Sequence, residues 1–185
     1  FNIAGDIVIN KNWIFCVAFI ASTSFAEAQL KGSGSTFAAN LYAGWSQSVA
    51  KTADARVEYL PTGSSAGVKA AQERNADFGA SDRPLNRATL EQAGLVQFPT
   101  AIGGVVLMTN VPGIPADKIK LDGATLGAIF LGRITHWDHA ALKALNPDLK
   151  LPSTAIVPVY RDEGSGTSFV FSTYLSKVSQ EFRTA

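Results

Sequence analysis

The stretch Arg161-Asp162-Glu163-Gly164-Ser165-Gly166-Thr167-Ser168-Phe169 lies between a strand-like run over residues 155–160 and a helix-like run over residues 168–182. A turn rich in glycine and serine that opens a helix offers backbone N–H groups, hydroxyls and the positive end of a helix dipole. Arg161 adds a guanidinium to these donors. The combination is suited to holding a tetrahedral oxyanion.

Two further turns of this kind occur upstream. The turn over residues 31–37 precedes a pattern of apolar residues four apart, which predicts a helix capped by Ser35 or Thr36. The turn over residues 62–67 follows the strand-like residues 56–60 and leads into good helix formers. A single turn would fit an ordinary capped helix, but three of them, one with an arginine, favour an anion site.

Composition narrows the class of protein. The 185-residue chain is 46% hydrophobic and 17% charged, which is typical of a folded protein and excludes a disordered one. Its length suits one domain or two small lobes. The net charge of +1 and the lack of a basic run with interleaved aromatics argue against a nucleic-acid partner.

The N-terminus has the layout of a signal peptide, although a buried first helix is the alternative. Lys11 precedes an apolar run over residues 13–20, and Ala26-Glu27-Ala28 matches a cleavage site. We expect residues 1–28 to be leader and upstream sequence, with cleavage after Ala28 and export. The apolar run is too short to span a bilayer, so no stable membrane anchor is expected. Cys16 would be removed, which excludes thiol catalysis and cysteine metal sites.

The rest of the chain alternates between strand and helix patterns. Further strands are expected within residues 76–85 and over residues 101–108. Further helices are expected over residues 86–94, 122–131 and 140–145. This alternation predicts an α/β fold with mainly parallel strands, in which ligands gather where strands end and helices begin. The three turns and Asp82 all fall at such positions.

Several motifs together resemble the periplasmic phosphate-binding proteins of ABC transporters. They are Gly34-Ser35-Thr36-Phe37, Gly63-Ser64-Ser65, and residues 77–82, 97–106, 126–132, 145–147 and 164–169. The resemblance implies a two-lobed, type II-like α/β architecture with one phosphate in the cleft. The first lobe would cover residues 29–101, and residues 102–185 would form a second lobe that is incomplete in this chain.

The resemblance also implies a set of site residues and partners. Asp82 matches the carboxylate that accepts a proton from the ligand. The matching donors are Thr36, Phe37 and Ser64 from the first lobe and Arg161, Ser165, Gly166 and Thr167 from the second. The expected partners are inorganic phosphate and the permease and ATPase subunits of an importer. The protein would be a periplasmic monomer without cofactor or enzymatic activity.

The chain departs from the family pattern in three ways. Glu163 stands where the family commonly has an aspartate, which affects how Arg161 is held. Ala66 replaces a frequent glycine, which matters only if that position needs a positive φ. Family members also continue well past residue 185, so we expect this chain to bind phosphate more weakly than a full-length relative.

The chemistry of phosphate supports a selectivity role for Asp82. Phosphate near neutral pH keeps at least one proton, whereas sulfate keeps none, so a carboxylate accepts a hydrogen bond only from phosphate. Two acceptors in contact are costly, and such sites discriminate strongly. The alternative role for Asp82 is to cap the helix after Pro84. Arg161 could instead form only a surface salt bridge with Asp162 or Glu163.

Other functions also fit parts of the sequence. Gly63-Ser64-Ser65-Ala66-Gly67 matches the nucleophile elbow of a serine hydrolase, with His136 or His139 as base. These two histidines and Asp138 could also bind a metal, although a fourth ligand is missing. A non-transport surface protein could keep the fold without the ligand. No phosphate-binding P-loop motif of nucleotide hydrolases occurs.

Overall fold

A parallel sheet of three short strands, in the order β2-β1-β3, organises the first part of the chain. The computed structural model describes residues 28–53, 55–115 and 117–185. Strand β1 (Ala28–Gly34) pairs with β2 (Ala55–Leu60) on one side and with β3 (Phe78–Ala80) on the other. The predicted parallel pairing is confirmed. Except for Ala28, the first residue of β1, the predicted leader lies outside the described residues.

Helices follow each strand, as the alternating pattern predicts. They are α1 (Ala39–Thr52), α2 (Ser64–Gln72) and α3 (Arg87–Ala93). The bounds of α3 follow from its ends, since Asn86 accepts a hydrogen bond from the Thr89 amide at 2.8 Å and Gly94 takes the left-handed conformation. Crossovers through helices are what parallel strands require.

The start of α1 corrects one prediction. Its N-cap is Ala38, which makes no side-chain capping bond, so neither Ser35 nor Thr36 caps the helix. The segment predicted as a turn from residue 31 is also strand as far as Gly34, because β1 pairs through these residues with both neighbours. Ser35 therefore lies at the end of the sheet and not at the start of α1.

The second part of the chain is mainly helical. It contains α4 (Gly123–Phe130), α5 (Ala140–Leu145), α6 (Gly166–Val178) and α7 (Gln180–Thr184). Asp122 and Thr125 form a capping box at the start of α4, with 2.8 Å between the Thr125 amide and Asp122 Oδ1. The single helix predicted up to residue 182 is two helices, because Ser179 ends α6 and caps α7.

Each of the two parts of the chain is stabilised by its own apolar cluster. The second part has an aliphatic core of Ile129, Ile134, Leu142 and Leu151, all buried. The first part has an aromatic cluster against the sheet. In this cluster the Tyr59 ring lies 4.8 Å from the Tyr42 ring, edge to face, and 6.1 Å from the stacked Phe78 ring. These contacts connect α1 with β2 and β3.

Two predicted strands are absent from the described chain. Residues 101–108 and 155–160 lie outside helices and strands, apart from a single antiparallel bridge between His136 and Ala155. Both runs are apolar and rich in β-branched residues, which favours strands only where a neighbouring strand supplies hydrogen bonds. No described strand pairs with them, and Ile102, Met108 and Val159 are exposed.

Over the part of the chain that the structure describes, no helix combines the length and the apolar character needed to cross a bilayer.

Candidate functional site

The carboxyl ends of β1 and β3 lie side by side and carry polar residues to one place. Because β1 and β3 are parallel and paired, both strands end at the same edge of the sheet. Ser35, directly after β1, donates its amide hydrogen to the Ala80 carbonyl at 2.9 Å. Asp82 follows β3 by two residues. Ser64 opens α2 beyond β2 and reaches the same edge.

Asp82 is surrounded by hydroxyl groups. Ser35 Oγ donates to Asp82 Oδ1, and Thr167 Oγ1 donates to Asp82 Oδ2 at 3.2 Å. The Asp82 amide donates to Ser64 Oγ at 3.2 Å. The alternative role of Asp82 as a helix cap is wrong, because Asn86 caps α3. The carboxylate is fixed by the end of β1 and by the start of α6.

Arg161 reaches the site through a hydrogen bond to Thr36. Its Nη1 donates to Thr36 Oγ1 at 3.1 Å, and its Nε donates to Glu163 Oε1 at 2.7 Å. Arg161 Nη2 also bonds Glu163. Hydrogen bonding from Arg161 lowers the pKa of Glu163 to about 2, and bonding to Glu163 raises the pKa of Arg161. The salt bridge with Glu163, considered as the alternative role of Arg161, is present, and it leaves one guanidinium nitrogen bonded to Thr36.

The start of α6 packs closely against the strand ends. Ser165 caps the helix by accepting a hydrogen bond from the Ser168 amide at 3.2 Å. Gly166 is buried, and a Cβ added there would lie 2.5 Å from Ser64 Oγ and 2.7 Å from Asp82 Cβ. The Gly164 carbonyl accepts from the Ser65 amide at 3.2 Å. Only glycine fits at residue 166 without displacing its neighbours.

Phe37 has a different place from the other predicted donors. Its amide donates to Ser35 Oγ at 3.1 Å, and its half-exposed ring lies against Gly103. Ser35, Phe37, Asp82 and Thr167 line part of a mainly apolar cavity of about 1030 Å³. The structure thus gathers Thr36, Ser64, Asp82, Arg161, Gly166 and Thr167 at one place, with Ser165 capping the helix behind them and Phe37 at the edge of the cavity.

Two residues of the site were not found from the sequence. Ser35, predicted as a cap, is only 1% exposed and bonds Asp82. Tyr59 donates its hydroxyl hydrogen to the Ser35 carbonyl at 2.7 Å. A tyrosine near the end of a strand carries no signal of such a contact. Ala66 departs from the family pattern without strain, since Arg74 is the only described residue other than glycine with a positive φ.

The hydrolase and metal alternatives gain no support from the geometry. His136 Nδ1 hydrogen-bonds Thr135, and His139 Nδ1 accepts from the Ala141 amide at the start of α5. Asp138 pairs with Lys143 at 3.5 Å. Neither histidine hydrogen-bonds Ser65. Within the described ranges, no group of three or more potential ligands among His, Cys, Asp and Glu is arranged around a common point.

The chain is similar in sequence to curated phosphate-binding proteins. The phosphate-binding protein PstS of Haemophilus influenzae is 41% identical over 174 residues, which cover 94% of this chain and 52% of the relative. PstS of Xylella fastidiosa strain 9a5c is 44% identical over 157 residues, covering 85% of this chain and 43% of the relative. The chain therefore spans about half the length of these curated relatives.

The chain also matches a solved structure and a domain family. The putative phosphate ABC transporter substrate-binding protein of Clostridium perfringens, solved with bound phosphate, matches with a TM-score of 0.65 and 29% identity. The match covers 80% of this chain and 56% of that chain. The PBP superfamily domain matches residues 21–184. The predicted α/β binding-protein fold and the resemblance to phosphate-binding proteins are confirmed, and the chain belongs to the PBP superfamily.

Proposed function

We propose that this chain binds inorganic phosphate and delivers it to an ABC phosphate importer. One observation carries the proposal: the Asp82 carboxylate, just beyond β3, accepts hydrogen bonds from Ser35 at the end of the paired strand β1 and from Thr167 in the first turn of α6, while the Asp82 amide donates to Ser64. A carboxylate bonded by hydroxyls, with a guanidinium nearby, suits an anion that still carries a proton. The names of the relatives, which describe phosphate binding, support the same function.

Each residue has a proposed role in this function. Asp82 accepts a hydrogen bond from the protonated phosphate, and Arg161 supplies positive charge through the nitrogen that now bonds Thr36. The remaining donors are backbone amides and hydroxyls of Thr36, Phe37, Ser64, Ser165, Gly166 and Thr167. For the ligand to enter, the contacts of Ser35 and Thr167 with Asp82 must give way in part. The ligand would then replace interactions that these groups already make with each other.

The cleft lies between the two proposed lobes, residues 29–101 and 102–185. Arg161 to Thr36 and Thr167 to Asp82 are hydrogen bonds from one proposed lobe to the other. A phosphate between them would use both sets of groups. Closure of the lobes around the ligand is the usual consequence of such a two-sided site.

The cellular setting is also part of the proposal. The leader over residues 1–28 would direct export to the periplasm, and the protein would act there as a monomer that passes phosphate to a permease and ATPase. It would bind its ligand without converting it, so no cofactor or catalytic residue is needed. The solved relative that is named as a phosphate ABC transporter substrate-binding protein supports the transport role.

Isothermal titration with phosphate and with sulfate tests the function. We expect a saturable heat with phosphate and none with sulfate at the same concentration. Equal binding of both anions would show that Asp82 does not select the ligand. Absence of phosphate binding would contradict the proposed function. Labelling by a fluorophosphonate probe would instead support the serine hydrolase alternative.

A further inference from the structure

Tyr59 is a half-buried polar residue beside the site that the proposed function does not use. Its hydroxyl donates to the Ser35 carbonyl oxygen at 2.7 Å, across two neighbouring strands. Its ring is held edge to face by Tyr42 and stacked by Phe78. Such aromatic contacts fix a ring in one orientation. The donor is therefore held in place before any ligand arrives.

Ser35 connects this tyrosine with Asp82. The Ser35 amide donates to the Ala80 carbonyl at 2.9 Å, its carbonyl accepts from Tyr59, and its hydroxyl donates to Asp82. The Phe37 amide donates to the Ser35 hydroxyl at 3.1 Å, which directs the hydroxyl hydrogen away from that amide. Every polar group of Ser35 thus has a partner, and its 1% exposure keeps water from competing.

We propose that Tyr59 is a positioning residue of the anion site, which holds Ser35 so that the Ser35 hydroxyl orients the Asp82 carboxylate. The inference rests on the proposed function and adds a residue to it. The Tyr59 hydroxyl bonds the Ser35 carbonyl and makes no described hydrogen bond to Asp82 or Arg161. Its effect passes through Ser35. Loss of its hydroxyl would leave a buried carbonyl without this donor and allow Ser35 to turn.

The protonation of Tyr59 is compatible with a permanent donor. Burial raises the pKa of the Tyr59 hydroxyl above its ordinary value, and the nearby Tyr42 and Asp82 raise this pKa further. The hydroxyl therefore keeps its hydrogen at neutral and mildly alkaline pH. The positioning effect should not change with pH over that range.

Tyr59→Phe and Tyr42→Phe form a matched pair for the test. Both changes remove one hydroxyl from the same aromatic cluster, but the Tyr42 hydroxyl bonds Thr100 at 2.8 Å and not Ser35. The full chain is titrated with inorganic phosphate and with sulfate. We expect Tyr59→Phe to weaken phosphate binding roughly 3- to 10-fold, the usual size of one lost neutral hydrogen bond, and to lower the phosphate-to-sulfate preference. Tyr42→Phe should change phosphate binding less than twofold.

A double-mutant cycle with Ser35→Ala identifies the route of the effect. If Tyr59 acts through the Ser35 hydroxyl, Tyr59→Phe should cost less than a further twofold once Ser35 is alanine. If the losses of phosphate affinity in the two single variants multiply in the double variant, Tyr59 and Ser35 act independently, which would overturn the proposal. So would an equal loss for both anions, or a loss of folded circular dichroism in Tyr59→Phe, because the hydroxyl would then hold the fold and not the site. Wild-type protein that fails to bind phosphate overturns the proposed function itself, and this inference with it.

Discussion

The two sides of the site are held by different kinds of interaction. On the sheet side, Ser35 and Asp82 are fixed by backbone hydrogen bonds at the ends of paired strands. On the other side, Arg161 belongs to a segment without regular structure, its side chain is 37% exposed, and its partner Glu163 is 51% exposed. Exposed ion pairs contribute little to stability. The sheet side therefore sets the geometry of the site, whereas the arginine side supplies charge that can shift with the ligand.

The largest expected effect comes from forcing the two sides apart. Gly166→Val should weaken phosphate binding by about 3 kcal/mol, or more than 100-fold, which is the upper range for overpacking a close contact. The new Cβ would lie 2.5 Å from Ser64 Oγ and 2.9 Å from the Asp82 amide nitrogen, so the start of α6 must move away from Asp82. Titration calorimetry with phosphate measures the loss.

Gly44→Ala is the control for this change, because a Cβ at Gly44 meets no atom within 4 Å apart from the neighbouring backbone of its own helix. It should leave phosphate binding unchanged. If Gly166→Val binds phosphate as tightly as the wild type, the close approach of α6 to the strand ends is not part of the binding site.

The second expected effect is on selectivity. Asp82→Asn should narrow the gap between phosphate and sulfate affinity by about 2 kcal/mol, or near 30-fold in the ratio of the two dissociation constants. The amide carries no negative charge and can donate where the carboxylate only accepted, so sulfate gains most. Competition titrations of both anions measure the ratio. Unchanged exclusion of sulfate would show that the sheet side does not set selectivity.

The sequence predicts the helices of the chain better than its strands. Helices α3, α4 and α5 could be bounded because their signals are local, such as the caps Asn86 and Asp122. Parallel pairing followed from strands that alternate with helices. The run over residues 101–108 shows the limit, because a strand depends on a partner that no local pattern names. Its composition predicts a strand that the described chain does not form.

The contacts of the site were harder to predict than its members. The motifs assembled Ser64, Asp82, Arg161 and Thr167 as a group, and the structure places them together. The Ser35 contact with Asp82 spans 47 positions in sequence, and the Tyr59 contact with Ser35 spans 24. Contacts of this kind depend on the register of the sheet, which single residues do not reveal. The spacing of the motifs therefore predicts which residues belong to the site, but not which of them form hydrogen bonds with each other.

The third expected effect is on the stability of the sheet side alone. Gly67→Ala should lower the free energy of unfolding by about 1.5 kcal/mol, since a Cβ there would lie 2.6 Å from the Ser33 carbonyl oxygen and 2.9 Å from that of Ala80. Gly44→Ala, also in a helix but open to solvent, should instead raise it by about 0.5 kcal/mol. Urea unfolding of both variants measures the difference. Equal effects would mean that α2 does not pack tightly on the strands.

The smallest expected effect is on the arginine side. Glu163→Gln should strengthen phosphate binding two- to threefold at low salt, because Arg161 then keeps its charge without a carboxylate that repels the anion. The gain should shrink as salt rises. With its pKa held near 2, Glu163 stays charged at every pH above about 4, so the difference between variant and wild type should be constant from pH 5 to pH 8. Any contribution of this carboxylate to stability is complete above pH 4.5 and is lost as the pH falls through about 2.

Glu181→Gln is the control for Glu163→Gln. It breaks the exposed pair with Arg133 at 3.3 Å, removes the same charge from α7 and should change phosphate affinity less than twofold. An equal gain in both variants would reveal a general charge effect. A loss of affinity in Glu163→Gln alone would show that Glu163 holds Arg161 in its binding orientation, and that the arginine side is as fixed as the sheet side.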